Sequence, residues 1–207
     1  TATPNQLAIP KTSPWFTPYD RFTAGVDRAA AVDKSRSLLR DAGHSSLSMG
    51  LMVSTEYPET ITAAQVIASN LADAGIKVTI EQLDFGVWLD RQSAGQFDSL
   101  LMGWLGNIDP DDFYYAQHHT GGTSNSQKYS NPEVDRLLDA GRAELDVGRR
   151  KQIYADVASR IADDVSYLYL YNPSTTQAFS TSVRDYTVRA DKAVRFRDAR
   201  LDRGGES

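Results

Sequence analysis

Ile76-Lys77-Val78-Thr79-Ile80-Glu81-Gln82-Leu83 alternates apolar with polar side chains, the period-2 pattern of a half-buried strand. Upstream of it, Ile61, Ala64, Val66, Ile67, Ala68, Leu71 and Ala74 recur at helical spacing, from Pro58, a fitting first helical residue, up to Gly75. Before that helix, Leu47 to Val53 reads as another strand. Strand, helix and strand joined by short turns predict a βαβ unit, with parallel strands and a right-handed crossover. Val87 to Ala94 then predicts a short helix ending at Gly95, and Phe97 to Trp104 returns as a third strand.

That third strand runs into Gly103-Trp104-Leu105-Gly106-Asn107-Ile108-Asp109-Pro110. Strands of α/β sheets carry their ligands on the loops that leave their carboxyl ends. This loop offers an aromatic plate, backbone freed by two glycines, and short polar side chains. Gly103, Trp104, Leu105, Gly106, Asn107 and Asp109 are therefore the candidate ligand-binding residues. Trp104 suits core packing as well as ligand stacking. Asp109 suits capping of a helix that starts near Asp111 better than ligand contact.

The remaining segments build outward from this unit. Residues 1–26 hold four prolines with Trp15, Phe16, Tyr19 and Phe22 between them, which predicts an extended connector lying against the protein. Asp33 and Gly43 bracket a compact helix whose apolar face is Leu38, Leu39 and Ala42. Ser130-Asn131-Pro132-Glu133 opens a further helix, with Val134, Leu137, Leu138 and Leu145 facing inward. Arg149 to Asp163 follows, with Ile153, Tyr154, Val157 and Ile161 as its stripe, so the two predict a helical hairpin. Tyr167-Leu168-Tyr169-Leu170-Tyr171 reads as a strand, with weaker strands at 175–179 and around Val194-Arg195-Phe196, and a frayed end over 202–207.

The chain has 207 residues, 41% hydrophobic and 24% charged, which describes an ordinary globular chain with ample material for a core. A net charge of −5 disfavours a nucleic-acid partner. With no Cys, disulfides and thiolate metal sites are excluded. No stretch is long and apolar enough to span a bilayer as a helix. The start Thr-Ala-Thr-Pro lacks Met and a signal-peptide core, so a processed chain or a piece of a longer one is expected. Neither a Gly-x-Ser-x-Gly elbow nor a Gly-x-x-x-x-Gly-Lys-Ser/Thr loop is present. His118 and His119 are adjacent, so they point in different directions and do not form the i, i+4 pair a helical metal site needs. A surface or loop role is expected of them, and neither a metal nor another cofactor is expected. The competing class is a secreted hydrolase using His118 or His119 with a nearby carboxylate.

Three stretches together resemble a known family. Val32-Asp33-Lys34-Ser35-Arg36-Ser37-Leu38-Leu39-Arg40-Asp41-Ala42-Gly43 is similar to an Asp-Pro-x-Lys-Ala-x-x-Leu-Leu-x-x-Ala-Gly helix. Gly103-Trp104 through Asp109-Pro110 is similar to a Gly-Trp…Asp-Pro loop. Tyr129-Ser130-Asn131-Pro132-Glu133-Val134-Asp135-Arg136-Leu137-Leu138 is similar to a Tyr-Ser-Asn-Pro-x-x-Asp-x-Leu-Leu helix start. In this order they resemble the C-terminal portion of family 5 extracellular solute-binding proteins of ABC importers, which include dipeptide, oligopeptide and nickel binders. The resemblance implies a periplasmic-binding-protein-like lobe with a mixed, largely parallel sheet flanked by helices. It implies that 1–177 form the second ligand-binding lobe and that 178–207 return to an absent first lobe. It also implies a non-enzymatic role outside the cytoplasm, membrane tethering through an absent N-terminus, and ABC permease subunits as partners. Peptide-binding relatives carry Asp where Asn107 stands, to pair with the free amine of the peptide. An amide accepts a hydrogen bond from an ammonium without neutralising it, and residues 54–60 hold no Arg or Lys for a carboxylate. The expected ligand is thus an oligopeptide held by its backbone or another polar small solute, rather than an amine-anchored dipeptide.

Overall fold

The computed structural model describes residues 2–22, 25–106, 108–189 and 193–202. It divides into two compact units, Gln6–Leu168 and Thr1–Asn5 with Tyr169–Ser207.

The larger unit is built on the predicted βαβ unit. Strand β2 (Leu47–Ser54) pairs in parallel with β3 (Ile76–Leu83) along its whole length, and helix α2 (Pro58–Asp73) makes the crossover. Pro58 is in the first helical turn. Strand β4 (Ser99–Leu100) adds to the other side of β2, also parallel, so the order is β3-β2-β4. Leu51, Val53 and Ala64 are buried between sheet and helix, with Ile61, Ile67, Val78, Ile80 and Leu101 packed around them. The unit is α/β with helices beside the sheet, as expected; the expected sheet is mixed and largely parallel, and the three described strands of this one are all parallel.

Helix α1 (Arg28–Asp41) begins one and a half turns earlier than expected. Asp27, not Asp33, is its cap, accepting the Ala30 N–H at 3.0 Å. The run Ala29-Ala30-Ala31 favours helix strongly enough to extend it to that cap. Its apolar face is not buried, and Leu38 is exposed. Helix α3 (Phe85–Ala94) likewise starts two residues early, because Asp84 accepts the Gly86 N–H at 2.9 Å. It ends as predicted on Gly95, at φ 68°.

Helices α4 (Asp111–His118), α5 (Pro132–Ala143) and α6 (Val147–Asp163) pack together beside the sheet. Asn131 caps α5 through the Glu133 and Val134 amides, and Pro132 opens it. The hairpin core is Val134, Leu137 and Leu138 against Tyr154, Val157, Ala158, Ile161 and Ala162. Gly141 is required here, since a Cβ would come within 2.9 Å of the Tyr154 ring. Leu145, expected inside, is 94% exposed. The helical stripe ends at Ala143, and Leu145 sits in the bend where Glu144 accepts the Asp146 N–H. In the N-terminal connector Leu7 and Ile9 are buried, and Lys151 donates to the Pro14 carbonyl at 2.7 Å.

The smaller unit holds two antiparallel pairs. β1 (Ala2–Pro4) lies against β5 (Tyr171–Pro173), and β6 (Val183–Arg184) against β7 (Arg200–Leu201). Of the strand expected at 167–171 only Tyr171 is in a ladder. The stretches 175–179 and 194–196 are not strands. Within this unit Phe179, Tyr186 and Phe196 instead form an aromatic cluster, at 5.3 and 6.1 Å between centroids. Of the end expected to fray, Asp202 donates its N–H to the Ser182 carbonyl at 2.7 Å, and 203–207 lie outside the described residues.

Candidate ligand-binding loop

β2 comes first in the chain and lies between its two partners, so the direction of winding reverses at β2. Such a switch leaves a crevice between the carboxyl ends of the diverging strands, where open α/β sheets take their ligands. Here those ends are Ser54–Tyr57 after β2 and the segment after Leu100. The last rung between them is the Leu101 N–H on the Met52 carbonyl, at 3.0 Å. The predicted strand 97–104 stops there. Trp104 has turned away, and its Nε1–H donates to the Asp112 carbonyl at 2.9 Å.

The loop is therefore folded back on α4. The Trp104 indole is 50% exposed and Leu105 is 83% exposed. With its N–H committed, the indole offers a ligand its ring face, which stacks on apolar or planar groups. Trp104, Leu105, Asp111, Asp112, Ala116 and Arg142 line a shallow depression of about 280 Å³. A second depression of about 270 Å³, between Ala68, Ala72 and the start of β3, lies at the amino end of the strands. The first lies on the loop that leaves the carboxyl end of β4, where such sheets take their ligands.

Nothing stands within 4 Å of where a Gly103 Cβ would be, whereas one on Gly106 would collide with the Phe113 ring. Gly106→Ala is expected to lower the urea unfolding free energy by roughly 1–3 kcal/mol through overpacking. Gly103→Ala should change it by less than about 0.5 kcal/mol. Equal effects of the two would contradict the close approach of Gly106 to Phe113.

Asp109 accepts two hydrogen bonds from Arg150, from Nη1 and Nη2, each at 2.8 Å. The guanidinium fork holds the Asp109 carboxyl below its usual range. Its Oδ1 also accepts the Asp111 N–H at 2.9 Å; the N-cap of α4 is Pro110, without a side-chain cap, so Asp109 supports the helix start from one residue further out than expected. Asp111 is gripped by Arg142 through Nε and Nη2, the shorter bond 2.7 Å, and by the Tyr154 hydroxyl at 2.9 Å. Arg142 in turn lies 3.1 Å above the Tyr115 ring centroid.

Of the expected site residues, Gly103, Trp104, Leu105, Gly106 and Asp109 share this one loop, and Asn107 lies outside the described residues. Asp109 is engaged with Arg150 and serves as an anchor in this conformation. Arg142 and Arg150 are not singled out by sequence, and Asp111 and Tyr154 read there only as a helix start and a core position. The available signal was that Arg150 falls four residues before Tyr154, on the apolar stripe of α6. A cation there calls for a partner carboxylate.

His118 departs from the surface or loop role expected of both histidines, whereas His119, partly exposed at the C-cap of α4, fits it. His118 is fully buried, with Nδ1 3.1 Å from Ser166 Oγ and its ring edge-on to Tyr167. Burial pushes its pKa down to about 3, so the ring is neutral and poorly matched to general-base work near neutral pH. His119 Nδ1–H donates to the Thr120 carbonyl at 2.8 Å, and its ring stacks on Tyr115. Among the described residues no group of three or more His, Cys, Asp or Glu could hold a metal ion.

The family model for bacterial extracellular solute-binding proteins, family 5 Middle, matches residues 1–126. Di/tripeptide-binding protein 4 of Pseudomonas aeruginosa (strain UCBPP-PA14) is 27% identical over 164 residues, 75% of this chain and 31% of that protein. The Escherichia coli murein tripeptide binding protein MppA superposes with a TM-score of 0.82 at 18% identity, over 97% of this chain and 40% of its own, a likeness of fold. The dipeptide binding protein of Pseudoalteromonas sp. SM9913, solved with Met-Leu, superposes at 0.75 and 25% identity, over 97% and 40%. The chain thus spans less than half the length of each of these proteins.

Proposed function

The chain belongs to the bacterial extracellular solute-binding proteins of family 5, and from that premise we propose that it is the second lobe of a substrate-binding component of an ABC importer. On this reading residues 1–177 form the lobe and 178–207 return to a first lobe. The whole protein captures a peptide-like solute outside the cytoplasmic membrane and delivers it to permease subunits. It does so by binding and closure rather than by chemistry, and it is tethered through a segment preceding this chain.

The observation that carries the reading is the exposed face of Trp104 on a glycine-rich loop at the sheet's switch point. That loop supplies one wall of a cleft. Trp104 stacks on the ligand, backbone groups at Gly103 to Gly106 hydrogen-bond it, and Asn107 reads a polar group. Closure of two lobes shifts the population toward a state that the transporter recognises. Relatives named for di- and tripeptides support a peptide class. Asn107 favours a peptide held by its backbone over one anchored at its amine.

A single wall buries only part of a ligand, so weak binding is expected. Calorimetric titration of Met-Leu, trialanine and a pentapeptide into the 207-residue chain should give dissociation constants above about 10 μM. Trp104→Ala should weaken the best of them at least about tenfold, since an aromatic platform contributes about 1–3 kcal/mol. Binding untouched by Trp104→Ala would remove the loop from the site. Sub-micromolar binding would overturn the one-wall reading.

A further inference from the structure

Two arginines from the bend of the helical hairpin reach into the candidate loop. Arg142 sits in the last turn of α5 and Arg150 in the first turn of α6. The carboxylates they meet, Asp109 and Asp111, are two residues apart at the start of α4. Each contact is a fork, with two guanidinium nitrogens on one carboxylate. Forked pairs fix direction as well as distance, which a point cation does not.

The arginines are themselves held. Arg150 Nε donates to the Gly141 carbonyl at 2.8 Å, its carbon lies about 5 Å from the Trp15 and Tyr154 rings, and its side chain is only 18% exposed. Arg142 stacks on one face of the Tyr115 ring while its side chain stays about half exposed. Between these clamps and β4 the chain is bound at two further points, Trp104 Nε1–H on the Asp112 carbonyl and the backbone of Gly106 against Phe113. A segment containing Gly103 and Gly106 has much conformational freedom to lose on binding, and a frame that removes it beforehand raises affinity without touching the ligand.

We propose that Arg150 and Arg142 are positioning residues for the 103–113 loop, setting the orientation of Trp104 from the α5–α6 hairpin before any ligand arrives. The consequence for peptide affinity rests on the function proposed above; the loop's preorganisation does not.

The test is hydrogen–deuterium exchange on the full 207-residue chain, read as the ratio of exchange over 103–113 to exchange over β2. In Arg150→Met that ratio should rise about tenfold or more, because the loop opens locally while the sheet stays protected. Asp109→Asn should raise it similarly, and the double variant should add little to either single one. Arg150→Lys should fall between, since it keeps the charge and gives up the fork. An unchanged ratio, or a loop and sheet loosened by the same factor, would overturn the proposal, the latter reducing Arg150 to a general stabiliser. Trialanine titration into the same variants separates the two readings. A wild-type chain that binds trialanine, and an Arg150→Met chain about tenfold weaker, supports both. A wild-type chain that binds no peptide even at about 10 mM defeats the peptide reading, while the exchange ratio still decides the clamp.

Discussion

Lowering the pH from 7.5 to 5 is expected to cost this chain about 2 kcal/mol of unfolding free energy through His118 alone. The ring is fully buried, and desolvation pushes its pKa from the ordinary 6.5 to about 3. Above pH 6.5 the histidine is neutral in both states and the penalty is absent. Between 6.5 and about 3 the unfolded chain takes up a proton that the folded chain refuses, so stability falls with pH across that window. At about 1.4 kcal/mol per unit, the full loss near pH 3 is on the order of 5 kcal/mol. Asp and Glu side chains stay largely ionised between pH 7.5 and 5, so the difference is carried by the three histidines, and a His118 variant separates His118 from His44 and His119. Urea unfolding at the two pH values measures it, and His118→Asn should flatten the difference. If that variant folds too poorly to compare, proton uptake on unfolding the wild type at pH 5 gives the same answer, with about one proton assigned to His118. A pH-independent stability from 7.5 to 5 would mean the imidazole is solvated or charge-paired in the fold.

The same residue marks the limit of what sequence reading reached. Periodicity identified β2, α2 and β3, because a period of 2 and a period of 3.6 are imposed by burial on one face and read directly from residue type. Helix starts slipped at α1 and α3, where an aspartate nearer the true start did the capping. The adjacent histidines gave no periodic signal. His118 is buried because α4 turns it toward Tyr129, in the loop before α5, and Tyr167, in the segment after α6. The Tyr-rich run at 167–171 carried strong strand propensity and still formed almost no ladder, because strand propensity needs a partner strand to act on.

The candidate loop was legible in part for the same reason. Its turn residues and Trp104 stand in one short stretch and could be named together. Its anchoring could not. Asp109 reads as a loop residue and helix cap and Asp111 as a helix start, but nothing in the sequence assigns partners to Arg142 and Arg150. Their pairing depends on the hairpin placing its bend beside α4, which is a tertiary fact. The loop's position relative to β2 follows from strand order, and strand order is likewise invisible to a pattern that sees one strand at a time.

Trp88→Ala should cost about 3–5 kcal/mol, a third or more of the stability of an ordinary domain. Trp88 is the one buried residue of α3, at 1% exposure. Its indole is the main apolar attachment of that helix to the sheet, beside the ion pair of Arg91 with Glu81 of β3 at 2.7 Å. Its ring stacks with Phe85 at 6.2 Å, and Phe85 meets Tyr57 edge-on at 5.8 Å, at the carboxyl end of β2. Its Nε1–H reaches the Met52 carbonyl at 3.4 Å, the same oxygen that accepts the Leu101 N–H. The indole thus supports the last rung before the chain departs toward Trp104. Truncation leaves a large apolar cavity and removes one of two donors at that carbonyl. Trp88→Phe keeps most of the apolar volume and loses the donor, so about 1–2 kcal/mol is expected of it. Urea unfolding gives both values. In Trp88→Ala the exchange protection of the Leu101 amide should fall more than that of Val78 on the opposite side of β2, because the β4 rung loses its support while the β2–β3 ladder remains. A Trp88→Ala chain as stable as Trp88→Phe would show that α3 is held by its exposed face. Equal protection losses at Leu101 and Val78 would detach Trp88 from the departure point of the binding loop.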